Sequence, residues 1–106
     1  MLYSFTSRNE GGPWVPVTLD ALGNLYGATS GSGAAELGNV FELINYRGGG
    51  WGYSSLYDFT GAGDGRFPYT GVVFDANGAL YGTASYGGNP NCHAPNGCGV
   101  VWQIAP

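Results

Sequence analysis

Four blocks of this 106-residue chain occur twice in the same order, and that repetition constrains the fold more than any other feature. Leu2-Tyr3-Ser4-Phe5-Thr6 returns as Leu56-Tyr57-Asp58-Phe59-Thr60, and Pro13-Trp14 as Pro68-Tyr69. Asp20-Ala21-Leu22-Gly23-Asn24-Leu25-Tyr26-Gly27 returns as Asp75-Ala76-Asn77-Gly78-Ala79-Leu80-Tyr81-Gly82, with Ser30 as Ser85. Gly38-Asn39-Val40-Phe41-Glu42-Leu43 returns as Gly99-Val100-Val101-Trp102-Gln103-Ile104. The offset is 54 residues from Leu2 to Leu56, 55 from Asp20 to Asp75 and 61 from Gly38 to Gly99. The last increase marks an insertion in the second copy, and it carries Cys92, His93 and Cys98.

Each copy reads as short strands. Gly is abundant, at 21 residues, and Tyr, Trp, Phe, Val and Thr fill the stretches between, which is the composition of strands and tight turns. No window carries apolar residues at helical spacing over several turns. The first strand is Val15 to Asp20, matched by Val72 to Asp75. A tight turn at Gly23-Asn24 or Asn77-Gly78 supplies the positive φ of a hairpin. The second strand is Leu25 to Ser30, matched by Leu80 to Ser85. The third is Val40 to Ile44, matched by Val100 to Ile104. The fourth is Tyr53 to Phe59, and its counterpart is Met1 to Thr6. On the third strand Phe41 and Leu43 share one face and Val40 and Glu42 the other. On the fourth, period two places Trp51, Tyr53, Tyr57 and Phe59 together. Four-stranded sheets with both faces covered suit radial stacking, so each copy is expected to be a blade of a β-propeller.

At these residues the chain resembles the bacterial GloVer-type (Gloeo/Verruco) tandem repeats. The likeness lies in Asp20 to Gly27, the Gly-rich loop after it, Gly38 to Leu43, and Leu56 to Gly61 with Asp64-Gly65 following. It implies an exported bacterial protein of propeller fold, hence an extracellular or exported location, and it carries over no catalytic residues. The chain departs from that pattern in having two copies and in the enlarged Cys92–Cys98 loop.

The expected fold is therefore all-β: a propeller fragment of two four-stranded blades, spanning residues 1–106 as one unit. Repeat one covers about 7–60, and repeat two covers about 61–106 plus the strand 1–6 of a neighbouring chain. The chain opens on a fourth strand and closes on a third, leaving an unpaired edge and uncovered aromatic faces, both sticky. Two blades cannot close a ring, because propellers use roughly four to eight. Head-to-tail homo-oligomerisation with strand exchange is the expected resolution, with Leu2, Tyr3 and Phe5 completing the blade that holds Val101, Trp102 and Ile104. Three chains closing a six-bladed ring is favoured, with four chains next.

Other partners are constrained by charge. The net charge is -4 with three basic residues, Arg8, Arg47 and Arg66, leaving no cationic footprint for a nucleic acid or an anionic membrane. Apolar stretches fall far short of a membrane span. The residues after Met1 lack the basic-then-apolar layout of a signal peptide.

The chemistry-bearing residues point away from catalysis. Cys92 and Cys98 flank Pro95 and Asn96-Gly97, a spacing that suits a disulfide and an oxidising compartment. A zinc site with His93 would lack a fourth ligand in the loop, so no metal or cofactor is expected. Asp20 and Asp75 hold the same place before a turn, where aspartate usually accepts turn amides. Glu42 becomes Gln103 in the other copy, against a charge-dependent role. Glycoside hydrolysis needs two facing carboxylates, and nothing in the sequence pairs them. An enzyme is the third-ranked reading, behind a lectin-like carbohydrate-binding module and a purely structural scaffold. For glycan binding the candidates are Trp14, Asp64, Arg66, Tyr69 and Tyr86: aromatic platforms beside a few polar groups. Packing between blades is the competing role for Trp14 and Tyr69.

Overall fold

The computed structural model describes residues 2, 16–31, 33–34, 37–61, 65, 68, 71–89, 91–92 and 97–105. These residues form two antiparallel sheets and no helix. The first sheet has the order β1 (Thr18–Leu19), β2 (Leu25–Thr29), β3 (Asn39–Asn45), β4 (Trp51–Asp58). The second has the order β5 (Val73–Phe74), β6 (Leu80–Ala84), β7 (Val100–Ile104). Each sheet is a meander, so sequence neighbours pair and connections stay short. The first strands are shorter than expected, two residues each, and β4 begins two residues earlier, at Trp51.

The two copies share their turn in atomic detail. Asp20 Oδ1 accepts the amides of Leu22 (2.8 Å) and Asn24 (3.0 Å), and Asp75 Oδ1 accepts those of Asn77 (2.8 Å) and Ala79 (3.0 Å). The amide of Gly23 reaches Asp20 O, and that of Gly78 reaches Asp75 O, each at 3.2 Å. The loop is thus three residues with its glycine left-handed, at φ 85° for Gly23 and 87° for Gly78.

Glycine fixes a second repeated contact. Gly27 pairs with Phe41 across β2 and β3, and Gly82 with Trp102 across β6 and β7. In each copy the ring lies over the glycine, where a Cβ would collide with it.

One expected face is corrected. In the β3–β4 ladder Val40 opposes Tyr57 while Phe41 opposes Ser55, so Leu56 is a bulge residue. The extra residue turns Tyr57 to the Val40 side, whereas Tyr53 stays with Leu43 and stacks on Phe41 at 6.0 Å. Trp51, Tyr53, Tyr57 and Phe59 therefore do not share a face. Phe59 enters the core between the sheets instead, 1% exposed and 6.2 Å from the Trp102 ring.

That core joins Tyr26, Val40 and Phe59 of the first copy to Val72, Leu80, Ala84 and Trp102 of the second. Tyr26 meets Phe74 edge-on at 5.0 Å, and Thr18 Oγ1 donates to Val72 O at 2.6 Å. One face of each sheet is thereby spent on the other sheet.

The first sheet also holds a buried polar cluster that the second lacks. Asn39 is fully buried; its Oδ1 accepts from Thr29 Oγ1 (2.7 Å), and its Nδ2 donates to Tyr53 (2.8 Å) and Ser55 (2.9 Å). The equivalent positions of Thr29 and Asn39 are Ala84 and Val100, an apolar solution to the same site.

Candidate functional site

The surface that stands apart is the outer face of the second sheet and the side of β7 away from β6. Because cross-strand partners point to one side, Val73, Tyr81 and Gln103 share a face with Thr83 and Val101. Val73 is 61% exposed and Val101 78%. The repeat equivalents of these five residues are Thr18, Tyr26, Glu42, Ala28 and Val40, and that face of the first sheet is covered by the second sheet. Val40 is 0% exposed. A position buried in one copy is therefore open in the other.

Among the described residues one edge of the same sheet is unpaired as well. Strand β7 pairs with β6 on one side, and no described residue pairs with its other side. Beside that edge lies a cleft of about 330 Å³ walled by Tyr57 and Phe59 against Val100 to Ile104. Of the three assembly residues expected on β7, Trp102 is buried and Ile104 packs on the core, while Val101 presents its side chain outward. Leu2 is 48% exposed, while Tyr3 and Phe5 lie outside the described residues.

The carboxylates at the turns are occupied by structure. Asp20 Oδ2 accepts from Asn24 Nδ2 (3.1 Å) and Tyr26 (3.0 Å), and Asp75 Oδ2 from Tyr81 (2.8 Å). Burial works against the charge on Asp20, but the bonds from Asn24, Tyr26 and Leu22 outweigh it and hold the carboxyl below its ordinary 3.8. The Tyr81 hydroxyl, with the amides of Ala79 and Asn77, lowers Asp75 likewise. Burial, then the bonds to Glu42 and Asp20, raise Tyr26 above 10.0, and the bond to Asp75 raises Tyr81. A carboxyl lowered in the fold contributes stability above its unfolded value, lost as pH falls through the folded one. A phenol raised in the fold contributes stability below its unfolded value, lost as pH rises. The urea midpoint should accordingly be flat between these values, dropping below pH 3.8 and above pH 10.0. Asp20→Asn and Asp75→Asn together should blunt the acid limb.

One hydrogen is missing from the first cluster. The Tyr26 hydroxyl has a single proton yet touches Asp20 Oδ2 at 3.0 Å and Glu42 Oε2 at 2.8 Å. In the second copy Gln103 Nε2 donates to the Tyr81 oxygen at 2.9 Å, and Tyr81 donates onward to Asp75. Glu42→Gln should copy that chain and raise stability by about 0.5–1 kcal/mol, the worth of one hydrogen bond. A drop in the thermal midpoint would count against this reading.

Cys92 and Cys98 are joined by a disulfide, Cα to Cα 5.5 Å, as expected. It closes the inserted loop beside a parallel bridge between Gly87 and Gly97. His93 lies outside the described residues, and so do Trp14, Asp64, Arg66 and Tyr69. Tyr86 is 37% exposed, and its carbonyl lies 3.3 Å from the point a Cβ would take on Gly65. Among the described residues no group of three or more His, Cys, Asp or Glu could hold a metal. Among them, too, no helix is long and apolar enough to cross a membrane.

Sequence reasoning missed Val73, Tyr81, Thr83 and Gln103 as surface, and Asn39 as a buried polar centre. The substitution of Val100 for Asn39 between copies was the available signal for the last. No family model matches the chain, and no curated protein or solved structure matches it either.

Proposed function

We propose that this chain is a non-catalytic, self-assembling repeat module whose copies stack head to tail. One observation carries the reading: Val101 is 78% exposed where its repeat equivalent Val40 is 0% exposed. Within the chain, the Val40 face of one sheet is covered by the Phe74–Leu80–Trp102 face of the next. The Val101 face has the same pattern of residues and takes the next sheet of another copy. Leu19 supports this pairing. It occupies the place of Phe74, which packs on Tyr26, yet it is 62% exposed. Set on a second copy by the same rule, Leu19 meets Tyr81.

Such a contact is heterologous, and it closes into a ring when the rotation between sheets permits. Two small sheets stacked face to face, the repeat pattern and its resemblance to GloVer-type repeats support a propeller, with three copies giving six blades and four giving eight. The Cys92–Cys98 disulfide supports an oxidising, exported setting. A lectin-like role rests on Trp14, Asp64, Arg66 and Tyr69, and glycan-array binding by the assembled protein tests it.

Native mass spectrometry tests assembly directly. The expected species is one closed multiple of the 11.0 kDa chain, stable on dilution. A folded species at the mass of a single chain would overturn the proposal.

A further inference from the structure

We infer that residues 2–6 of a second copy form the strand that completes the β7 edge, in the register that β4 holds on β3; this rests on the head-to-tail reading above. The template lies within the chain. Asn39 opposes Asp58, Val40 opposes Tyr57, Leu56 is the bulge, and the Phe59 amide donates to Gly38 O at 3.0 Å. Each of these positions has a counterpart. Val100 takes Ser4, Val101 takes Tyr3, Leu2 becomes the bulge, and the Phe5 amide faces Gly99 O. Gly38 and Gly99 share a left-handed backbone, φ 107° and 100°, so the acceptor carbonyls are set up alike.

The edge has the marks of an unfinished site. Its amides and carbonyls on the outer side pair with no described residue, and the cleft beside it is walled by Tyr57 and Phe59. Trp102, whose buried Nε1 has no partner among the described residues, is one of the residues that wall the cleft. Buried N–H groups are ordinarily paired.

Topology decides between a second copy and the chain's own N-terminal segment. After β4, residues 59–72 carry the chain from the outer edge of one sheet to the first strand of the next. That next sheet lies on the Val40 face. In the proposed assembly residues 5–17, nearly equal in number and matched in sequence at Pro13-Trp14, follow the same path, which puts the sheet they lead into on the Val101 face of the sheet they complete. The chain's own first sheet lies on the opposite, Trp102 face. A strand 2–6 following the repeat's path therefore belongs to another copy.

Cysteine pairing tests the register. Opposed residues of antiparallel strands bring Cα atoms to roughly 4.5–5.5 Å, within disulfide range. Chains carrying Tyr3→Cys are mixed with mass-tagged chains carrying Val101→Cys, oxidised mildly, and read by intact mass without reduction. A heterodimer is expected in the mixture, at least roughly tenfold above a Ser4→Cys control, whose side chain points to the opposite face. The double variant should give covalent multimers ending at one closed size. Closure of that double variant within a single chain would overturn exchange between copies. No heterodimer from chains that assemble normally would overturn the register alone, whereas wild-type protein found as single chains would sink the head-to-tail reading with it.

Discussion

Replacing Val101 by glutamate is expected to dissolve the proposed head-to-tail assembly into single, folded chains. The side chain is 78% exposed in one copy, so the substitution costs the fold within about 0.5 kcal/mol, the ordinary range for surface positions. In the assembly it takes the place that Val40 takes here, fully buried against a neighbouring sheet. A carboxylate left there without a partner costs several kcal/mol, because a buried charge loses its hydration and gains nothing in return. About 3 kcal/mol per contact weakens each dissociation constant roughly a hundredfold. Sedimentation at micromolar concentration should show single chains, and circular dichroism should show the wild-type strand signal. Val40→Glu is the matched control. It strikes the equivalent site inside the chain and should unfold it. Equal assembly by Val101→Glu and wild type would show that the exposed face is not the interface.

The second large effect is at Gly99. Its φ is +100°, and a Cβ there would lie 2.5 Å from the carbonyl oxygen of Ala84, a backbone atom held in the β6–β7 hairpin. Gly38 has the same geometry in the first copy: φ +107° and a Cβ position 2.7 Å from Thr29 O. Alanine at either site adds left-handed strain of about 1–3 kcal/mol to a collision that only backbone movement relieves. A loss of about 3–5 kcal/mol is expected, a large fraction of the 5–15 kcal/mol that holds a domain together. Each kcal/mol lowers the melting midpoint by roughly 4–8 °C in a domain near this size. Gly48→Ala is the control, since a Cβ there meets nothing within 4 Å. Melting at one fixed protein concentration separates the cases, because association adds its own stability. A midpoint for Gly99→Ala within a degree or two of wild type would show that this crossing can relax.

Much of the fold was legible because local chemistry is sufficient for it. Asp20-Ala21-Leu22-Gly23 and Asp75-Ala76-Asn77-Gly78 hold their own turns through the aspartate side chain and a left-handed glycine. The third strands fall at the expected residues with one more at each end in the first copy. The faces of β4 were not legible. Period-two counting assumes an unbroken ladder, and the Leu56 bulge depends on how Val40 and Phe41 are paired, not on any residue in β4. Asn39 was overlooked for a related reason. Its partners Thr29, Tyr53 and Ser55 lie on the two strands either side of its own, and only the pairing of those strands brings the groups within 3 Å.

The repeated segments Leu2 to Thr6 and Leu56 to Thr60 drew attention to the outer side of β7, which pairs with no described residue. Sequence by itself determined that the segments occur twice and that each copy is a run of strands turned at an aspartate. Tertiary structure decided which faces the two copies spend on each other. It leaves Val101, Tyr81 and Val73 outward because a sheet has two faces and a two-sheet stack can cover only one of each. Repetition can specify a contact without specifying how many times it is made, and the exposed Val101 face carries the residue pattern of the covered Val40 face.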